Sequence, residues 1–587
     1  MSSIIRDTPL GQFVRLVTHN RVLQYPEEKA DFRLPDEWLR VVHSSKAKYS
    51  SSSTCSSDTS TLYINDEKID AEKGDEVSSS SEAISSAGSE SPAETVSNEK
   101  QNVRDDIEQA IERVKSIPIV PRRTADGTVL VDWYSTDDPE NPRNWASLRR
   151  ALVALVLCLY TFVVYTSSAI YINSQPGVEK EFGVNATEAS LGLALFVLGY
   201  GIGPLLWSPL SELPNIGRNP VYFWTMLAFV ILSIPTALVT NYPGLMVLRF
   251  LQGFFGSPCL ANGGASLGDL YNDLHLPYAL IAWVSAGYSG PALGPLLSAF
   301  SVPVLGWRWS LLEILFAGSV IFPVMFTFLP ETSPATILLQ RAQRLRRLTG
   351  NPAFMSQSEI DQQGMSSRAI FLDALIKPLE ITLKDPAILF VQLYTAVVYA
   401  TYYSFFESFP LVYATYYSFF ESFPLVYPVF YEFTSGQIGL IFLAILVACL
   451  LGAAAYASYI HFYMNPRIRA VGEPAPETDS YPRSSRVRPG LRLIRLRMDC
   501  TPGYPLDRTH GRYPKYAASL FAGNDFFRSA LAFAAVLFAP PLFKDLGVAR
   551  GNSLLGGLSV VGVIGIWTLY IFGARLRSMS KFAISEQ

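Results

Sequence analysis

Apolar and polar positions are so unevenly spread along these 587 residues that they divide the chain without further help. Residues 1–148 are polar. Six long apolar segments follow, at about 151–172, 189–210, 221–240, 243–266, 278–301 and 309–330. Each is close to the length a helix needs to cross roughly 30 Å of hydrocarbon. A polar, basic stretch covers 331–386, and four more apolar segments lie near 387–413, 436–460, 516–540 and 554–574. In a bilayer every backbone polar group must be satisfied within its own segment, so these segments are expected to be helices. The pattern predicts an all-α polytopic membrane protein with about ten spans, arranged as six plus four.

The polar parts complete the plan. Ser44–Lys100 is dominated by serine and acidic residues and cannot bury enough apolar area to fold. Residues 1–148 therefore read as a disordered, Ser-rich tail, with a short amphipathic helix expected over Asp106–Val114. The first six spans form one bundle over 149–330. Residues 387–574 form a second, incomplete bundle, interrupted over 461–515 by an aberrant arginine-rich segment. Tyr481–Arg512 alone holds eight arginines and no apolar run long enough to span. Residues 575–587 are a terminal tail. A verbatim duplication, Ala400–Tyr413 repeated as Ala414–Tyr427, reads as a recent copying event rather than a folded repeat.

Charge sets the expected orientation. Arg341, Arg344, Arg346, Arg347, Arg368, Lys377 and Lys384 crowd the central stretch, and Arg575, Arg577 and Lys581 follow the last span. The positive-inside rule places this loop and both termini in the cytosol. Asn185-Ala186-Thr187 is then a glycosylation sequon on the outer side. Residues 1–40 hold no continuous apolar core, so the first span serves as the insertion signal. A net charge of −3 implies no nucleic-acid partner. The five cysteines have no paired spacing, the five histidines form no cluster, and no phosphate-binding glycine loop appears. Nothing here calls for a metal, a cofactor, enzymatic catalysis or ATP-driven pumping.

Against this apolar background a few residues stand out. Ala286–Pro295 holds Gly287, Gly290, Pro291, Gly294 and Pro295 inside the fifth span. Prolines bend a membrane helix, and glycines let a neighbouring helix come close. Arg249 lies in the first turns of the fourth span. A charge there either snorkels to the interface or serves a cavity as a fixed positive group. Asp269 closes the same span, as a loop residue or a coupling carboxylate. Glu212 and Arg218 flank a tight turn at Gly217, where they can pair with each other or with neighbouring helix ends as a latch. Glu407 and its copy Glu421 are carboxylates among aromatics, placed to take up a proton or a cationic compound. Asp525 and Arg528 are three apart, hence on one helix face and able to pair. Tyr394, Tyr399, Tyr402, Tyr403, Phe405 and Phe406 face lipid or line a broad cavity.

Four stretches carry a family likeness. Gly203–Pro220 resembles the loop between the second and third spans of the major facilitator superfamily. Arg249-Phe250-Leu251-Gln252-Gly253 resembles the fourth-span signature, and Gly290-Pro291-Ala292-Leu293-Gly294-Pro295 the antiporter signature of the fifth. Asp138–Trp145 with Pro330-Glu331-Thr332 resembles flanking sequences of the fungal twelve-span drug:proton antiporters, the benomyl, methotrexate and fluconazole resistance transporters. The resemblance covers roughly residues 130–465 and 513–580. It implies two six-helix bundles, here with the ninth and tenth spans missing. It also implies proton-coupled export of amphipathic drugs, fungicides or secondary metabolites by a plasma-membrane monomer, with Arg249 tuning the proton route. Asn219 departs from the pattern, since many relatives carry a basic residue there. Two other readings remain: a sugar or nutrient facilitator or symporter, and a non-transporting, truncated relative.

Overall fold

The computed structural model describes residues 5–39 (save 30, 36 and 37), 117–363 (save 125, 126 and 273), isolated positions between 366 and 380, then 382–416, 440–466 and 517–578. Most of the described chain is helical. The first bundle contains α2 (Ser147–Ala169), α3 (Gln175–Phe182), α4 (Ala186–Glu212), α5 (Arg218–Leu238), α6 (Tyr242–Gly256), α7 (Pro258–Leu270), α8 (Leu276–Leu305) and α9 (Trp309–Phe328). It is preceded by α1 (Pro9–Val17) and followed by α10 (Pro334–Thr349) and the short α11 (Gln357–Asp361). The second set is α12 (Pro386–Tyr416), α13 (Leu443–Tyr459) and α14 (Ala517–Ser578). Local sequence fixes the helix starts. Asn185 caps α4, accepting from Glu188 N at 2.8 Å while Glu188 accepts from Asn185 N at 2.8 Å. Asn241 caps α6 in the same way, accepting from Gly244 N at 3.0 Å.

Seven helical stretches among the described residues are long and apolar enough to cross a membrane. They fall on five of the six expected spans of the first half, all but the fifth, and on two of the second half; α6 and α7 together form one of them. The fifth expected span is the proline- and serine-containing α8, and the seventh is the tyrosine-rich α12. The last two expected spans form one helical run, α14, broken at Gly547 (φ 73°, ψ 161°) rather than separated by a loop.

The decapeptide of α8 makes the close approach its glycines promise. A Cβ on Gly290 would lie 2.8 Å from Thr166 N and 2.9 Å from the Phe162 carbonyl oxygen, both backbone atoms of α2. At Gly294 the nearest atom is Ile170 N at 3.0 Å. Asn173 donates to the Pro295 carbonyl at 2.7 Å, supporting the backbone where prolines thin the hydrogen-bond ladder. The contrast with Gly287, whose Cβ would meet Tyr165 at an ordinary 3.4 Å, gives a clean test. Gly290→Ala is expected to cost ~1–3 kcal/mol more than Gly287→Ala, because backbone cannot yield as a side chain can. Thermal unfolding of the two purified variants measures this; equal midpoints would show that α8 and α2 are not in contact here.

Two parts of the 1–148 tail are structured, correcting its assignment as disordered throughout. Ser44–Lys100 and Asp106–Val114 lie outside the described residues. Residues 5–32 instead form a strap on α10. Glu27 pairs with Arg344 at 3.1 Å, and Glu140 with Arg341 and Arg344 at 3.0 Å each. The Arg6, Arg15 and Arg344 guanidiniums stack on Tyr25 at 4.2, 4.6 and 3.8 Å from its ring centre. Burial pushes the Glu140 carboxyl above its ordinary range, against the opposing pull of Arg341 and Arg344. These arginines were legible as positive charge, but their long-range acidic partners were not. In a separate compact unit, Arg33–Asp138, the buried Trp38 donates to the Ile119 carbonyl at 3.0 Å beside a short strand, Val129–Val131. Trp145 is buried, with Arg149 stacked on it at 3.7 Å.

Candidate functional site

Where α2, α7 and α8 of the first bundle meet α12 and α14, a small cavity remains. Its walls are largely aromatic: Tyr165, Trp283, Tyr288, Tyr399, Tyr402 and Phe521. Asp525 and Arg528 of α14 supply its charges. As the three-residue spacing allows, they are ion-paired, through Asp525 Oδ1 and Arg528 Nη2. The same Nη2 donates to the Tyr165 hydroxyl at 2.9 Å, and the guanidinium sits 4.4 Å over the Tyr399 ring. Both residues are more than nine-tenths buried. The cavity volume is about 40 Å³, room for a few waters. Drug-sized ligands occupy pockets of roughly 300–1,000 Å³. The cavity is therefore too small for such a ligand in this state.

A chain of hydroxyls leads away from it. Tyr200 of α4 donates to Tyr403 of α12 at 2.9 Å. The Tyr200 and Tyr399 hydroxyls lie 2.8 Å apart, and Tyr399 also donates to Tyr403 at 3.4 Å. Ser168 of α2 spends its proton on the Tyr165 carbonyl at 2.7 Å, so Tyr403, at 3.3 Å, donates to Ser168. These hydroxyls, Tyr399, Tyr200, Tyr403 and Ser168, stitch α12 to the first bundle. Composition announced the tyrosines; only the fold puts Tyr200 and Ser168 among them. Of the six aromatics flagged around α12, Tyr394, Tyr399 and Tyr403 are buried and Tyr402 lines the cavity. The side chains of Phe405, Phe406 and Glu407 are outside the described set, as is Glu421 altogether.

Arg249 does not snorkel. It is fully buried and donates to the Gly192 carbonyl (3.2 Å), the Ser167 carbonyl (3.0 Å) and Gln252 Oε1 (3.0 Å). Its guanidinium also faces Phe196 at 4.6 Å and Tyr171 at 5.0 Å. Among the described residues no carboxylate pairs with it. Gln252 in turn donates to Ser233 at 2.7 Å, tying α6 to α5. Arg249 thereby binds α2, α4 and α6 next to the residue, Ser168, where the hydroxyl chain ends.

The turn between α4 and α5 sits at the other end of the bundle. Glu212 and Arg218 do not pair with each other. Arg218 Nε donates to Asp269 Oδ2 at 2.6 Å. Glu212 accepts from Ala518 N at 2.8 Å, at the first turn of α14. An acidic group is favoured at a helix N-terminus by its unpaired N–H groups and dipole. Gly217 carries a φ of 80°, and a Cβ there would come within 2.5 Å of Glu331 Oε2. Glu331 holds the turn through backbone donors: Arg218 N (3.2 Å), Asn219 N (3.1 Å), Thr332 N (3.0 Å) and Ser333 N (2.8 Å). Burial raises the Glu331 pKa, and the backbone donors oppose it. Asn219, the departure from the expected basic residue, donates to the Leu329 carbonyl instead. Near Trp307, Arg308 pairs with Glu181 at 2.6 Å.

A family model described as Major Facilitator Superfamily matches residues 157–472. The chain is 44% identical over 490 residues to "MFS-type transporter pyvG" of Aspergillus violaceofuscus, covering 79% of this chain and 87% of that protein. It is 34% identical to "Transporter mfs1" of Schizosaccharomyces pombe over 78% of this chain and 89% of that one. It is also 34% identical to the "Cycloheximide resistance protein" of Candida maltosa, over 78% and 86% of the respective chains.

Proposed function

Because this chain belongs to the Major Facilitator Superfamily, we propose that it is a proton-driven exporter of amphipathic small molecules, drugs, fungicides or secondary metabolites among them. It would act as a monomer in the plasma membrane, with α10 and both termini in the cytosol, and cycle by alternating access about a midplane site. The observation that carries this reading is the Asp525–Arg528 pair, buried between aromatic walls at the junction of the two helix sets. A charge pair at this depth is expensive and is retained where it works. Contacts that join the two sets flank it: the hydroxyl chain towards one end and the Glu212 cap of α14 towards the other. Opening one end breaks one set of contacts and leaves the other, the differential that a two-state cycle needs.

In this cycle a proton entering from outside neutralises Asp525 and loosens its hold on Arg528. The Tyr399 ring beneath Arg528 transmits the change to Tyr200 and Tyr403. Arg249, fixed by two carbonyls and Gln252, keeps the neighbouring helices in register. The names of relatives such as the Candida maltosa protein support a resistance role.

Vesicles bearing the purified protein test the coupling. Collapsing the proton gradient is expected to slow drug efflux at least ~10-fold, the equivalent of about 1.4 kcal/mol in activation free energy. Unchanged efflux rules out antiport. Uptake stimulated by acid outside identifies a symporter instead, and no movement in either direction identifies a non-transporting chain.

A further inference from the structure

The ion pair in the cavity is incomplete. Asp525 Oδ2 and Arg528 Nε are buried and have no hydrogen-bond partner among the described residues. Each belongs to a planar group whose other atom makes the Asp525–Arg528 bond, so this one pair leaves both an acceptor and a donor over. A buried polar atom left unpaired costs as much as its desolvation, and such atoms mark where water or a ligand completes the set.

We infer that this edge recognises a neutral, planar compound carrying a hydrogen-bond donor beside an acceptor: an imide, a lactam or a primary carboxamide. Three observations set that class. Among the described lining residues Asp525 and Arg528 are the only charged ones, and they cancel, so an ionic ligand would bring an uncompensated charge to a dry site. The walls are aromatic faces and edges, including Trp283, Tyr288, Tyr399 and Phe521, which suit a flat ring system. The unpaired acceptor and donor match an N–H and a C=O held side by side in one ligand. In this state the two atoms have essentially no accessible surface; the ligand reaches them once the walls part.

This inference rests on reading the cavity as the transport site, but its test needs no gradient. The full chain, purified in nanodiscs, is titrated with 1,8-naphthalimide and with N-methyl-1,8-naphthalimide, followed by probe fluorescence. Methylation removes the donor and leaves the flat rings. The unmethylated probe is expected to bind at least ~10-fold tighter, since a site built on hydrogen bonds discriminates strongly against a ligand that leaves them unmade. In an Asp525→Ala/Arg528→Ala double variant, which leaves no lone charge, the two probes are expected to bind equally. Tyr288→Ala is expected to weaken both by the same factor. Equal affinities in the unmodified protein, a preference that survives in the double variant, or binding of neither probe overturns the inference. Gradient-insensitive efflux with the N–H preference intact would instead remove antiport and leave this site standing.

Discussion

Arg249→Ala is expected to reduce efflux by at least ~100-fold, the equivalent of about 2.7 kcal/mol. The loss is not of a surface charge. Arg249 satisfies two backbone carbonyls, those of Gly192 and Ser167, and Gln252 Oε1. Hydrogen bonds to a charged group contribute ~1.5–3 kcal/mol each, and the acceptors left behind are buried. Part of the effect will therefore appear as lower stability, so a thermal unfolding curve must accompany the transport assay. Arg249→Lys separates the two. It keeps the charge but lacks the planar fork that reaches three acceptors at once. Its unfolding midpoint is expected to fall between those of the alanine variant and the unmodified chain, with efflux still depressed more than ~10-fold. Efflux at full rate in a folded Arg249→Ala protein would show that this charge is structural filling.

Much of this could be read from the sequence because the bilayer forces a simple code. Spans had to be long and apolar, and the helices fall on them. Asp525 and Arg528 were legible as a pair because they share one helix face. Gly290 and Gly294 were legible as a contact because glycine has few other uses in a span. What stayed hidden depended on distance along the chain. Nothing in the spacing could tell that Arg218 would choose Asp269 over Glu212, or that Glu212 would cap α14. The strap of residues 5–32 was missed for the same reason: Glu27 meets Arg344 more than three hundred residues away. Tyr200 and Ser168 looked like ordinary span residues, and only packing reveals them as links.

The charge pair and the turn are connected through α14. Glu212 holds its N-terminal turn, and Asp525 lies about two turns further along the same rod. A rigid helix cannot shift at one place and stay fixed at the other. Movement that frees Ala518 from Glu212 must therefore carry Asp525 and Arg528 with it, past Tyr165 on α2 and Tyr399 on α12. This gives the site a physical link to the gating loop that needs no relay of small side-chain motions.

Asp525→Asn should expose that link. The amide copies the shape of a protonated carboxyl but can no longer change charge. Arg528 then loses its only carboxylate partner among the described residues, keeping the Tyr165 hydroxyl and the Tyr399 ring. Breaking a buried pair from one side costs ~3–5 kcal/mol, so efflux is expected to fall at least ~10-fold. The decisive readout is the shape of the pH profile. Efflux by the unmodified chain should respond to external pH, whereas what remains in Asp525→Asn should be flat. An Asp525→Asn/Arg528→Gln double variant removes both charges; it should recover thermal stability while the profile stays flat. If Asp525→Asn keeps the full pH response, proton coupling resides in another carboxylate, and Glu407 becomes the next residue to replace.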